Sequence, residues 1–292
     1  MWHAWASLLC DLTANGWRSS LPTVQPHESI LVFAVMLGAT TACGSSEDDA
    51  TGSGGPSASH CVPIPAGTFM MGSDNGYNSE KPAHSVTVAA FCMDRTEVTV
   101  AAYAACVKAG KCTAAEAGSD DNYCNAGVAG RENHPINCVD WNQAVRYCEA
   151  QGQRLPTEEE WEYAARGTDG REYPWGNEEP SNQLCWNGEG NDLGYANGYG
   201  NRRSTCPVGT YPKGRSPFGL EDMSGNVWEW TSSPWTDDFA SPPVGSIRVN
   251  RGGSWDSGDP SHVRSASRGR DVPSVQYRHL GFRCAGSVSA AP

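Results

Sequence analysis

The sequence predicts an α+β fold with low regular secondary structure. The 292-residue chain contains 33 Gly, 19 Pro and 11 Trp, a composition typical of many short elements joined by turns and held together by aromatic packing. Runs with strand-like residues are short, and the segments with helical periodicity are equally short and carry capping signals. Since no internal repeat occurs, one core of ordinary domain size is expected.

Two segments near the start of this domain predict strands. Residues 63–72 (PIPAGTFMMG) form a strand-like run with turn residues at its ends, and Ser85–Val88 alternates between apolar and polar positions. After residue 168, Gly, Pro and aromatic residues alternate with further short runs, of which 207–211 (PVGTY) predicts another strand.

Three helices follow from periodicity and capping. Thr99 is placed to cap a first helix that Gly110 ends. Apolar residues at positions 141, 144, 145 and 148 form the stripe of a second, amphipathic helix. Thr157 and Glu160 form the capping box of a third.

The charge of the chain argues against nucleic acid as a partner. Its 21 Lys+Arg and 33 Asp+Glu give a formal net charge of −12. Such a chain offers no basic face to neutralise phosphates.

The first sixty residues predict export. Residues 30–42 form an apolar run that is too short to span a bilayer and matches the hydrophobic region of a signal peptide. The run ends before Cys43 in a sequence that resembles a bacterial lipobox, so Cys43 is the predicted lipidation site. We therefore divide the chain into a leader (1–42), a flexible Gly/Ser-rich acidic tether (43–60) and a domain (61–287). The expected location is the bacterial periplasm or cell surface, held by the lipid; a plain cleaved signal and a secreted protein are the alternative.

Cysteine usage agrees with an oxidising compartment. Of 12 cysteines, Cys10 and Cys43 lie in the leader, which leaves an even number in the domain. Cysteine count alone leaves the connectivity open, and Cys148 on an apolar helix face is alternatively a buried free thiol.

A family resemblance rests on segments that occur in a fixed order along the domain. They are PAGTFMMGS (65–73), DRTEVTVAAY (94–103), HPINCVDW (134–141), RLPTEEEWEYAARG (154–167), YPWGN (173–177), GLEDMSGNVWEWT (219–231), RVNRGGSW (248–255) and LGFRCA (280–285). Together they resemble the formylglycine-generating-enzyme, or sulfatase-modifying-factor, family. The resemblance implies an α+β fold related to C-type-lectin-like architectures.

The resemblance also implies where catalysis would occur. Formylglycine-generating enzymes oxidise a sulfatase cysteine with a copper(I) ion held by two cysteine thiolates. The matching positions here are Ser257 and His262, and no cysteine occurs between Trp255 and Arg283. Since copper(I) prefers soft sulfur ligands, copper is not an expected cofactor.

These substitutions lead to competing functional hypotheses. The favoured one is a non-oxidase binding or scaffold protein with an unknown protein, peptide or glycan ligand; the alternative is a formylglycine-generating oxidase acting on sulfatase cysteines. A sulfoxide synthase would need an iron-binding domain upstream.

Asp256, Asp259 and His262 are candidates for a new metal or acid/base site. The simpler interpretation is a solvated polar loop.

The resemblance further implies a calcium site. It uses the Glu229 carboxylate, with Gly225, Val227 and either Asn226 or Ser224 contributing oxygen ligands. In the alternative interpretation, Glu229 accepts hydrogen bonds from backbone N–H groups. The second calcium site of the family would lie near Cys185 and Asn197, where the match is poor, so we expect it to be absent.

Two disulfides are predicted beside that missing site and at a helix end. Cys185 and Cys206 would close the loop that the family orders with its other calcium ion. Cys106 and Cys112 are a second candidate pair around Gly110, and pairing of Cys185 with Cys124 stays open.

Overall fold

A computed structural model describes residues 61–119, 122–188 and 204–288. The predictions for the leader, Cys43 and the tether lie outside the described residues. Within the described part, the fold is α+β with few helices and small mixed sheets, as predicted.

One small sheet joins the two ends of the domain. It has the order β1 (Cys61–Ile64), β4 (Phe91–Asp94), β9 (Ala285–Gly286), and all pairs are antiparallel. A separate antiparallel hairpin consists of β2 (Gly67–Met71) and β3 (His84–Val88).

A four-stranded sheet carries the residues of most functional interest. Its order is β7 (Arg268–Asp271), β6 (Pro243–Arg251), β5 (Trp228–Thr236), β8 (Leu280–Gly281). The short strand β8 runs parallel to β5 and places Gly281 beside Glu229. Residues just after β8 therefore lie next to the buried start of β5.

All three predicted helices are confirmed: α1 (Val100–Lys108), α2 (Trp141–Ala150) and α3 (Glu158–Arg166). The Thr99 hydroxyl accepts from the Ala102 N–H at the start of α1. At α3, the predicted capping box between Thr157 and Glu160 is formed in both directions, which satisfies two otherwise unpaired backbone donors.

Two strand predictions need correction. The run 63–72 is divided into β1 and β2 at Pro65–Ala66, because β1 pairs with β4 whereas β2 pairs with β3. The run 207–211 is a turn instead of a strand. Gly209 has φ 74° there, and its N–H donates to Asp222 at 2.6 Å, so the backbone donor is used by a side chain rather than by a neighbouring strand.

The apolar core has two main parts around these sheets. One part packs α1 and α2 against the ends of β5 and β8, and the other packs α3 against the hairpin and β4. Trp230 is fully buried in the first part and Trp161 in the second. Burial of such a large side chain contributes about 3 kcal/mol.

The described residues contain five disulfides, which pair every cysteine of the predicted domain. The bonds are Cys61–Cys92, Cys106–Cys112, Cys124–Cys138, Cys148–Cys284 and Cys185–Cys206. Both predicted pairs are present. The alternatives that Cys148 is a free thiol and that Cys185 pairs with Cys124 are wrong. This set of disulfides indicates an oxidising, extracytoplasmic environment.

None of the helices in the described ranges has the length and apolar character needed to cross a membrane.

Removal of the Cys185–Cys206 bond is expected to lower the free energy of unfolding by about 3 kcal/mol, because the bond closes a loop with a sequence separation of 21. Denaturant unfolding of a Cys185→Ala, Cys206→Ala double variant measures the loss. Non-reducing peptide mapping of the wild type checks the bond directly: alkylation of either thiol in the native oxidised protein would contradict it.

Candidate functional site

The segment that follows β6 forms one wall of an open cleft with a volume of about 850 Å³. The opposite walls come from β5, β7, the residue before β8 and the loop after β2. The lining side chains and glycines are Tyr77, Trp228, Asp256, Ser257, Gly258, Asp259, Pro260, His262, Ser267, Arg268, Gly269 and His279. Both family positions singled out in the sequence, Ser257 and His262, thus line the same cleft.

Gly253, just after β6, permits close backbone packing beside the cleft. Gly253 has φ 73°, a conformation that residues with a Cβ atom rarely adopt. A Cβ atom at Gly253 would lie 2.7 Å from Val263 and 2.8 Å from the carbonyl oxygen of His262. Gly253 therefore lets the 3-10 helix Pro260–Val263 pack directly on the end of β6.

Ser257 belongs to a hydrogen-bonded turn. Its Oγ accepts from the backbone N–H of Ser254 at 3.1 Å and lies 3.4 Å from the Ser254 Oγ. The Ser254 hydroxyl donates to Asp256 Oδ1 at 2.6 Å. A buried, neutral serine hydroxyl with these partners is a structural group of the loop, and it differs from a thiolate in both charge and softness.

His262 is exposed on the 3-10 helix at the rim of the cleft. Asp259 caps that helix, since its Oδ1 accepts from the Ser261 N–H at 2.8 Å. This backbone hydrogen bond lowers the pKa of Asp259. The Tyr77 hydroxyl lies 2.7 Å from Ser261 Oγ, so a loop from the other end of the chain supports this rim.

Asp256 has a basic partner that the sequence analysis missed. Its Oδ2 lies 3.4 Å from His279 Nδ1 and 3.7 Å from Arg278 Nε. Burial opposes ionisation, but hydrogen bonds from His279 and Ser254 outweigh it and lower the pKa of Asp256. The carboxylate–imidazole pair of the cleft is therefore Asp256–His279. Sequence proximity had instead grouped Asp256 with His262.

Glu229 is fully buried, and its carboxylate accepts hydrogen bonds from two side chains. Arg283 binds it with two hydrogen bonds, from Nε to Oε2 and from Nη2 to Oε1, each 2.7 Å long. Trp161 Nε1 donates to Oε2 at 2.8 Å. The donors are side chains, so the alternative of backbone N–H donors does not describe these contacts.

The other predicted calcium ligands connect backbone segments. Asn226 accepts from Trp255 N at its carbonyl oxygen, at 2.8 Å, and from Cys206 N at its Oδ1, at 2.9 Å. Gly225 donates its N–H to Gly252 at 2.8 Å, and Val227 is fully buried. The side-chain oxygens of Glu229 and Asn226 already accept protein hydrogen bonds, so a cation bound as the resemblance implies would have to share them. Calcium binding itself stays a prediction.

The small sheets, capped short helices and glycine-supported cleft define an α+β domain of the kind seen in PvdO from Pseudomonas aeruginosa. The structure of that protein matches 78% of this chain and 94% of its own, with a TM-score of 0.62 and 29% identity. The description "Sulfatase-modifying factor enzyme 1-like domain" applies to the family whose model matches residues 48–288. The chain belongs to this FGE-sulfatase family.

Relatives in the family include proteins named as active and as inactive. A formylglycine-generating enzyme from Bos taurus is 35% identical, with 77% of this chain and 74% of the relative covered. The inactive C-alpha-formylglycine-generating enzyme 2 from Mus musculus is 34% identical, with 78% and 85% covered. Overall identity of this size does not separate the two kinds of protein.

Proposed function

We propose that the chain is an exported, lipid-anchored member of the family that binds a ligand in its cleft without oxidising it. The observation that carries the proposal is the pair Ser257 and His262 at the positions where the family resemblance places thiolates. Ser257 is fixed by Ser254, and His262 stands at the exposed rim. One hard hydroxyl and one imidazole do not provide the two soft ligands that copper(I) prefers.

The cleft offers a mixture of contacts suited to a peptide or glycan. Trp228 and Tyr77 provide aromatic faces, and Asp256 with His279 provides a charged, hydrogen-bonding pair. Apolar surfaces combined with a few placed polar groups are typical of ligand sites.

The second candidate, a formylglycine-generating oxidase, is favoured by the 35% identity to an enzyme of that name. It requires a copper site built from residues other than the two family positions. A copper(I)-binding assay separates the candidates.

We expect the wild-type fragment 44–292 to show neither stoichiometric copper(I) binding nor conversion of a cysteine-containing sulfatase peptide. A matched Ser257→Cys, His262→Cys variant provides the two missing thiols and is expected to bind copper(I) more tightly than wild type by at least tenfold. Saturable copper(I) binding together with peptide oxidation by the wild type would establish the oxidase instead.

Anchoring is supported by the apolar run 30–42 that ends before Cys43. The disulfides agree with export. Substitution of Cys43→Ser is expected to move the protein from the membrane fraction to the soluble fraction, because a lipidated residue is lost. Fractionation and mass spectrometry of the N-terminus test this. A wild-type mature protein that is soluble and unacylated would refute the anchor.

A further inference from the structure

A second cavity, with a volume of about 320 Å³, lies beside the cleft. Asp256 and His279 line both cavities, so the two cavities meet at this pair. The wall of the second cavity also contains polar side chains and an aromatic ring, which come from Glu116, Asn122, Gln276, Arg278 and Tyr277. A ligand that fills both cavities must therefore be an extended molecule that crosses the Asp256–His279 pair.

The Asp256–His279 pair presents fixed hydrogen-bonding atoms where the cavities meet. The Ser254 hydroxyl donates to Asp256 Oδ1 at 2.6 Å, and His279 Nδ1 lies 3.4 Å from Asp256 Oδ2. The backbone of His279 is also held, because its carbonyl oxygen accepts from Trp228 N at 2.8 Å. His279 Nε2 has no hydrogen-bond partner in the part of the chain that the structure describes. A carboxylate beside an imidazole suits hydroxyl groups, which both donate and accept hydrogen bonds.

The second cavity adds further oxygen acceptors. Gln276 Nε2 donates to Gln143 Oε1 at 2.8 Å, whereas Gln276 Oε1 has no partner among the described residues. Glu116 is exposed, and its Oε1 accepts from Asn122 Nδ2 at 3.3 Å. Hydroxyl groups of a ligand can donate to these oxygens without the ligand carrying a charge.

Each cavity has an aromatic ring in its wall. Trp228 lines the cleft, and Gly269 of β7 leaves room for its indole, since a Cβ atom at Gly269 would lie 3.3 Å from Trp228 Cε3. Tyr277 lines the second cavity and is 43% exposed. A sugar ring carries C–H groups on its faces and hydroxyl groups around its edge. An aromatic side chain beside polar groups suits both parts of such a ring.

The charges of the two cavities favour a neutral ligand. The formal net charge of −12 and the local carboxylates of Glu116 and Asp256 oppose an acidic one. Recognition of a basic ligand would need a carboxylate without a basic neighbour. Asp256 already has two, because its Oδ2 lies 3.7 Å from Arg278 Nε and 3.4 Å from His279 Nδ1.

We propose that the cleft and the second cavity form one groove that binds a neutral oligosaccharide. Sugar rings lie on Trp228 and Tyr277, and hydroxyl groups between these rings bind Asp256 and His279. This inference rests on the proposed function as a ligand-binding protein and deepens it, since it names the class of ligand and adds the second cavity to the site.

Calorimetric titration of the purified protein with cellotetraose, maltotetraose, chitotetraose and mannotetraose tests the groove. We expect saturable binding of at least one of these neutral tetrasaccharides, with one site per chain. The corresponding monosaccharide is expected to bind at least about tenfold more weakly, because it contacts only one of the two aromatic rings. Tetragalacturonate, an acidic oligosaccharide, is expected to bind more weakly than the preferred neutral one.

Tyr277→Ala is expected to lower the affinity for the preferred tetrasaccharide about tenfold, since it removes the ring of the second cavity. Its side chain is partly exposed, so thermal unfolding should stay close to wild type. Val272→Ala is the matched control, because Val272 is 45% exposed in the same segment and lines neither cavity. Asp256→Asn is expected to weaken binding as well, because an amide nitrogen replaces one of the acceptor oxygens.

The inference is overturned if none of the tetrasaccharides binds saturably, or if Tyr277→Ala binds them as tightly as wild type does. Tyr277-dependent binding of a cysteine-containing sulfatase peptide, without binding of the sugars, would assign the groove to a peptide instead. The proposed function is judged separately by copper(I) binding and peptide oxidation, so a failure of the oligosaccharide test can be distinguished from a failure of that proposal.

Discussion

Replacement of Arg283 by methionine is expected to destabilise the protein by about 3 to 5 kcal/mol, which is the usual cost of removing one partner of a buried ion pair. The guanidinium is fully buried together with Glu229. Methionine fills similar space but leaves the carboxylate without its charge partner. It also removes the donors that hold backbone segments together at Asp94, Arg95, Glu221 and Asp222.

Arg154→Met is the matched control for this change. Arg154 also binds a glutamate through two nitrogens, with both distances to Glu160 at 2.6 Å, but its side chain is 48% exposed. Solvent screening limits such a pair to about 1 kcal/mol. Urea unfolding followed by tryptophan fluorescence measures both losses. If the two variants lost similar free energies of unfolding, burial of the Arg283–Glu229 pair would make no extra contribution to stability.

The helices could be predicted because their signals are local. The Thr157–Glu160 capping box needs only residues three apart in sequence, and the structure forms both of its hydrogen bonds. The strand prediction at 207–211 failed for the opposite reason. Whether Gly209 N pairs with a strand or with Asp222 depends on a residue thirteen positions later, and residue preference alone does not contain that information.

The buried ion pairs of the domain could not be predicted from the sequence. The first turn of α3 reads EEE, which by pattern is a solvated acidic start. In the structure, Glu158 is buried and binds Arg251 and Arg268, residues from two strands far along the chain. Glu162 of the same helix binds Arg166 and Arg251. Only the tertiary fold brings these partners together.

The part of the candidate site that lies within one loop could be predicted from the sequence, whereas the contact that joins distant segments could not. Ser257 and His262 line one cleft because a single short loop carries both. His279 directly precedes β8, which pairs with β5, and its Nδ1 lies 3.4 Å from Asp256 Oδ2.

Removal of the Cys148–Cys284 disulfide is expected to lower the free energy of unfolding by about 4 kcal/mol in a Cys148→Ala, Cys284→Ala variant. The bond links α2 to the segment before β9 across a sequence separation of 136, and the entropy that a crosslink removes from the unfolded chain grows with loop length. The remaining disulfides already restrict part of that loop, which keeps the expected loss below the value for an otherwise unlinked chain.

The Cys106–Cys112 bond is the control, since it closes a separation of only 6 residues. Its removal by the same alanine substitutions is expected to cost about 2 kcal/mol. Both cysteines of each pair are buried, so the loss of sulfur packing is similar and the difference between the variants reports loop closure. Denaturant unfolding under non-reducing conditions gives both values. A larger loss from the short loop than from the long one would mean that packing around the sulfur atoms, instead of chain entropy, sets the contribution of these disulfides.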